Sequence, residues 1–150
     1  MKLGGTANYP ARIVSPVLGA TGPRCTLQFA YTTSSQATLS VVLHKESPNM
    51  VWLKPLMDIS VRSPWHIYQV HIGKLDPGYQ IQFVGKIDIV NTQINPFRDM
   101  SLDEIKFVNC DASSTVSVQP GNLTCDFETG TCGWYDWNIG STNKIDWVSN

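Results

Sequence analysis

At 150 residues the chain is long enough for one domain with a sizeable core. Its 42% hydrophobic and 15% charged content excludes a disordered chain, and a net charge of −1 with no basic run excludes a nucleic-acid surface. No apolar segment reaches the ~18–20 residues that a membrane-spanning helix needs, and Met1-Lys-Leu-Gly-Gly5 lacks the apolar stretch of a signal peptide.

Residues 25–110 read as short strands separated by turns. In Cys25-Thr-Leu-Gln-Phe-Ala-Tyr31 the residues Cys25, Leu27, Phe29 and Tyr31 share one face. Ser34-Ser-Gln36 interrupts the pattern, and Thr38-Leu-Ser-Val-Val-Leu-His44 resumes it with β-branched residues. Glu46-Ser-Pro-Asn49 predicts a turn, Met50-Val-Trp-Leu53 a third strand and Trp65-His-Ile-Tyr-Gln-Val-His-Ile72 a fourth. Asp76-Pro-Gly78 is a strong turn signal, after which Tyr79, Ile81 and Phe83 alternate again. Ile94–Asp99 predicts a loop before a last strand around Ile105–Val108. Short strands at regular spacing with almost no helical periodicity point to an all-β, antiparallel sandwich. The segment 111–123 is rich in Ser, Thr, Gln, Pro and Gly and reads as a linker. From Cys125 the composition turns aromatic and acidic, but 26 residues cannot form an independent core.

Four cysteines stand at 25, 110, 125 and 132, and four allow three pairings. Ease of closing a short loop favours Cys125–Cys132, which leaves Cys25–Cys110. The six-residue gap between Cys125 and Cys132 is not the gap of a zinc knuckle, and no second close pair exists. Disulfides imply an oxidising compartment. Asn122-Leu-Thr124 is the single N-glycosylation sequon, at the end of the linker.

No Gly-x-Ser-x-Gly elbow, His-Glu-x-x-His helix or phosphate-binding glycine loop appears. His66 and His71 are five apart and face opposite sides of one strand, and His44 stands alone in sequence, so ordinary strand or surface histidines are expected. Tryptophans could stack on sugars, but Trp52, Trp65 and Trp134 are expected in the core.

Two patterned blocks carry more than periodicity does. Ser101-Leu-Asp-Glu-Ile-Lys-Phe-Val-Asn-Cys110 resembles the closing of an extracellular MAM domain, the family of meprin, the A5 antigen (neuropilin) and a receptor-type tyrosine phosphatase. Cys125-Asp-Phe-Glu-Thr-Gly-Thr-Cys-Gly-Trp134 resembles the opening of one. Between them in kind, Ala11–Leu18 with its Ser-Pro, the Cys25, Phe29, Tyr31 run, Trp52, Trp65 and Gln82-Phe-Val-Gly85 are similar to further family positions, as is Ile145-Asp-Trp147. The resemblance divides the chain into 1–110, a MAM domain lacking its N-terminal part, the linker 111–123, and 124–150, the N-terminal part of a second copy.

That resemblance implies a jelly-roll-like β-sandwich, and a non-catalytic adhesion or protein-interaction role at the cell surface. It implies protein partners, homophilic contact among them, with any membrane anchor outside this sequence. It implies the same disulfide pairing, first with second and third with fourth. It also implies a cation, Ca2+, at Asp103 and Glu128, for which two carboxylates need further oxygens. In a regular strand the adjacent Asp103 and Glu104 face opposite sides, so one of them is expected to face inward. A carbohydrate-binding jelly-roll module is the alternative. Residues 124–150 could also fold back to fill the vacancy in the first copy, pairing an otherwise exposed sheet edge.

Overall fold

A computed structural model describes residues 2–4, 11–33, 37–48, 50–59, 63–87, 100–111, 125–128, 130–136 and 146–148. Among the described residues ten strands lie in chain order: β1 Lys2–Gly4, β2 Ala11–Val14, β3 Thr26–Thr33, β4 Ala37–Ser47, β5 Met50–Ile59, β6 Ser63–His71, β7 Tyr79–Ile87, β8 Met100–Val108, β9 Tyr135–Asp136 and β10 Asp146–Val148. They form two five-stranded sheets, in the orders β10-β1-β8-β3-β6 and β5-β4-β7-β2-β9. Every strand pair is antiparallel. The expected all-β sandwich is present.

The alternation read from the sequence is what closes the two layers. Leu27, Phe29 and Tyr31 of β3 face Leu39, Val41 and Leu43 of β4 and Ile81 and Phe83 of β7, all in one buried cluster. Phe29 meets Phe83 edge-on at 5.1 Å between ring centroids. On β8 the buried residues are Met100, Leu102 and Ile105, so the period of two breaks once. A bulge causes this. Gln28 of β3 pairs with Lys106 and Ala30 with Asp103, so two residues of β8 oppose Phe29. Glu104, one of the two, sits in the left-handed region at φ 48°.

Pro55 lies inside β5, where a central strand would not accept it. It is tolerated because β5 is the edge of its sheet. The predicted loop at 94–99 and the break at 34–36 lie outside the described residues, as does the linker apart from Asp111.

The described part of 124–150 is built into the same core. Cys125, Phe127 and Trp134 belong to the buried cluster, and Trp134 packs on Phe83 at 5.5 Å. Cys125 and Ile105 exchange two backbone hydrogen bonds of 2.9 Å, so the segment docks on β8 at Ile105, past the Met100–Ser101 stretch that pairs with β1. β9 pairs with β2, through Val14 with Tyr135, and β10 pairs with β1. Directly after Cys132 the chain turns tightly, with Gly133 at φ 82°. A Cβ there would stand 3.0 Å from the Pro16 Cγ, which explains the glycine of the Cys-Gly-Trp run.

Candidate interaction surface

Both disulfides form. Cys25–Cys110 staples the start of β3 to the end of β8 across 85 residues, and Cys125–Cys132 closes a local loop across 7. This is the pairing that the resemblance implies.

On the face of the β10-β1-β8-β3-β6 sheet turned away from the core, one rung runs from Asp103 through Ala30 to Ile67. The central position carries only a methyl group, so the side chains on either side stand as walls. The result is a groove of about 590 Å³ lined by Ala30, Trp65, His66, Ile67, Asp103 and Glu104. Trp65 is 55% exposed and Ile67 46%. The bulge brings Glu104 to the same groove as Asp103, which regular alternation would forbid. The Glu104 amide donates to the Asp103 Oδ1 at 2.8 Å and fixes that carboxylate. The expectation that the pair faces opposite sides is thus corrected by the bulge.

A second apolar surface lies on β5, where Met50, Val51, Trp52 and Leu53 are exposed in succession. The Trp52 ring meets Tyr79 edge-on at 5.9 Å, and the Lys45 ammonium stands 4.6 Å from the Tyr79 ring centroid. The expectation of a buried Trp52 and Trp65 therefore fails, while Trp134 is buried. The reason is position: both exposed rings lie on edge strands, Trp52 near the start of β5 and Trp65 on the outward side of β6.

His44 is fully buried in a polar chain on β2, β4 and β7. Arg12 donates to the Gln82 Oε1 at 2.7 Å, which turns the Gln82 Nε2 toward the His44 Nδ1 at 3.1 Å. That nitrogen must accept, so the ring proton sits on Nε2, 3.1 Å from the Glu46 carboxylate. Burial pushes the Arg12 guanidinium down from its ordinary value. Every member of the chain is thus engaged with a neighbour, as in a structural network. His66 and His71 do fall on opposite faces, opposite Tyr31 and Thr26 respectively.

Glu128 is exposed on the Cys125–Cys132 loop, and its amide is capped by the Asp126 carboxylate at 3.1 Å. It does not line the groove that Asp103 lines. Among the described residues no three His, Cys, Asp or Glu side chains gather as a metal cage. A calcium ion takes six to eight oxygens, so two carboxylates do not by themselves make a site. Asn122 lies outside the described residues. Sequence reasoning missed Ala30 and Ile67 altogether. The available signal was the small outward residue between Phe29 and Tyr31.

No helix among the described residues is long and apolar enough to cross a membrane. A protein-family comparison matches the model for the MAM domain, meprin/A5/mu, to residues 3–111, which is more than half of the chain. With the antiparallel sandwich and the Cys25–Cys110 staple in place, this match assigns the protein: it belongs to the MAM domain family.

Proposed function

We propose that this chain is a protein-interaction module of an extracellular or cell-surface protein, holding partners together by side-chain packing at its sheet edges. MAM domains are extracellular, non-catalytic modules of the adhesion type. The observation that carries the reading here is the run Met50, Val51, Trp52 and Leu53, which are 65%, 46%, 40% and 41% exposed on an edge strand. Scattered apolar residues are ordinary at a surface, but a contiguous run on an unpaired edge marks a contact site. Lys54 and Pro55 follow directly, and a proline cannot donate to a strand ladder. The contact is therefore one of side chains, not of sheet continuation. A second copy of the chain is the partner that this reading favours, since each copy would offer the same apolar run to the other.

Within that reading, 124–150 supply in cis the opening strands missing from 1–110. Supporting this are the burial of Phe127 and Trp134 and the Ile105–Cys125 pairing. The carbohydrate reading has less support. Sugar platforms align aromatic rings on one face, whereas Trp52 and Trp65 stand on different sheets.

Beads coated with the chain test it. The reading expects them to aggregate, expects Trp52→Asp with Leu53→Asp to disperse them, and expects no signal on a glycan array. Dispersed wild-type beads would remove homophilic contact, and glycan binding lost in Trp65→Ala would favour sugar.

A further inference from the structure

The geometry points to the groove on the outer face of the first sheet as a receptor for an arginine side chain of a protein partner. This rests on the protein-interaction reading and names the chemistry of one contact within it. The groove is lined by Trp65, His66 and Ile67 on β6 and by Asp103 and Glu104 on β8, with Ala30 between them. His66 pairs with the core residue Tyr31, so Trp65 and Ile67 are the β6 side chains that stand on the groove's face. Among the described residues neither carboxylate has an ion-pair partner. The Asp103 Oδ1 already accepts from the Glu104 amide, which holds the group in place and leaves its other oxygen for an incoming donor.

Ionised carboxylates only accept hydrogen bonds, and a guanidinium only donates, with five N–H groups in a planar fork. That plane also stacks on an indole face, where the ring quadrupole attracts the cation. An acceptor wall opposite an exposed tryptophan therefore matches arginine on both sides. A sugar hydroxyl both donates and accepts, and the Trp65 indole and His66 ring are the only side-chain donors in the lining, so two acceptor-only carboxylates suit better a group that only donates. Lysine would satisfy the charge but neither the fork nor the stack. At about 590 Å³ the groove also has room for the residues flanking the arginine.

The bulge makes the arrangement. With regular alternation Glu104 would point to the other face and one carboxylate would remain. With Glu104 at φ 48° both line one groove.

The test is an NMR titration of the isotope-labelled full chain with acetyl-arginine amide, acetyl-lysine amide, acetyl-citrulline amide and methyl mannoside. The proposal expects saturable shifts of the Trp65 indole and Ala30 amide signals with arginine, a weaker response with lysine and none with the neutral citrulline. Asp103→Asn, which keeps the shape and removes the charge, should weaken arginine about tenfold. Trp65→Ala should weaken it about threefold or more. Equal shifts from citrulline, shifts of the same signals by the mannoside, or no saturable response to arginine would overturn the proposal. The bead assay keeps the two readings apart. Beads that aggregate while arginine leaves these signals unmoved sink the groove and spare the module. Beads that stay dispersed while arginine saturates the groove keep the arginine site and sink homophilic adhesion.

Discussion

The side-chain amide of Gln80 donates to the hydroxyl of Tyr135 at 2.9 Å, joining β7 to β9 across 55 residues of chain. The same nitrogen donates to the Ser15 carbonyl at 2.8 Å, so one buried amide ties the MAM-matched body to the segment that carries Cys125 and Cys132. Tyr135 itself is half-exposed, whereas Gln80 is buried.

That asymmetry sets the first prediction. Gln80→Leu strands the Ser15 carbonyl in a buried site and should cost about 1–3 kcal/mol. Tyr135→Phe leaves the amide its second acceptor and should cost about 1 kcal/mol or less. Urea denaturation of the two variants should rank them in that order. Equal costs would mean that Gln80 acts through β9 alone.

The second prediction concerns the aromatic residues of the Cys125–Trp134 segment. Phe127 and Trp134 are 5% and 2% exposed in the common core. Truncating either to alanine should destabilise the whole chain by about 3–5 kcal/mol. A detached tail would make both substitutions silent in thermal unfolding.

The two disulfides should differ in worth because they close loops of different length. Replacing Cys25 and Cys110 by serine releases an 85-residue separation and should cost roughly 4–5 kcal/mol, against roughly 2–3 kcal/mol for the 7-residue bridge Cys125–Cys132. Denaturant midpoints of the two double variants check the ranking, provided that each retains its remaining bridge.

Tyr31 supplies an alkaline signature. Burial pushes its phenol from 10.0 up to about 12, with the neighbouring Tyr68 adding slightly and Thr33 opposing. Below pH 10 both folded and unfolded chains carry the neutral phenol, and the contribution is fully present. Between pH 10 and about 12 only the unfolded chain releases the proton, so stability falls as pH rises. Tyr31→Phe should remove that part of the alkaline decline. Its hydroxyl has no hydrogen-bond partner of good geometry, so little should be lost at neutral pH.

Strands β3, β4 and β7 were legible because their alternation is one-sided: Leu27, Phe29 and Tyr31 are large and apolar, against the polar or small Thr26, Gln28 and Ala30. On β6 the signal is ambiguous. Trp65 and Ile67 form one apolar face, Tyr68 and Val70 continue the other, and the core takes the second. Which face turns inward is decided by pairing with β3, a relation that no local window contains. The bulge at Glu104 was illegible for the same reason, since an αL position normally announces itself by glycine. The groove depends on both, so its residues could not be assembled from the sequence. The cysteine pairing and the family pattern, by contrast, depend on order along the chain, which the sequence displays directly.

The most direct test of the account is native-state hydrogen exchange resolved by mass spectrometry on the intact, oxidised chain. If 125–136 complete the sandwich, the Cys125 amide bonded to Ile105 should exchange with the same free energy as the amides of β3, through global unfolding. Exchange of 125–136 within the time typical of an open tail, while β3 stays protected, would contradict it.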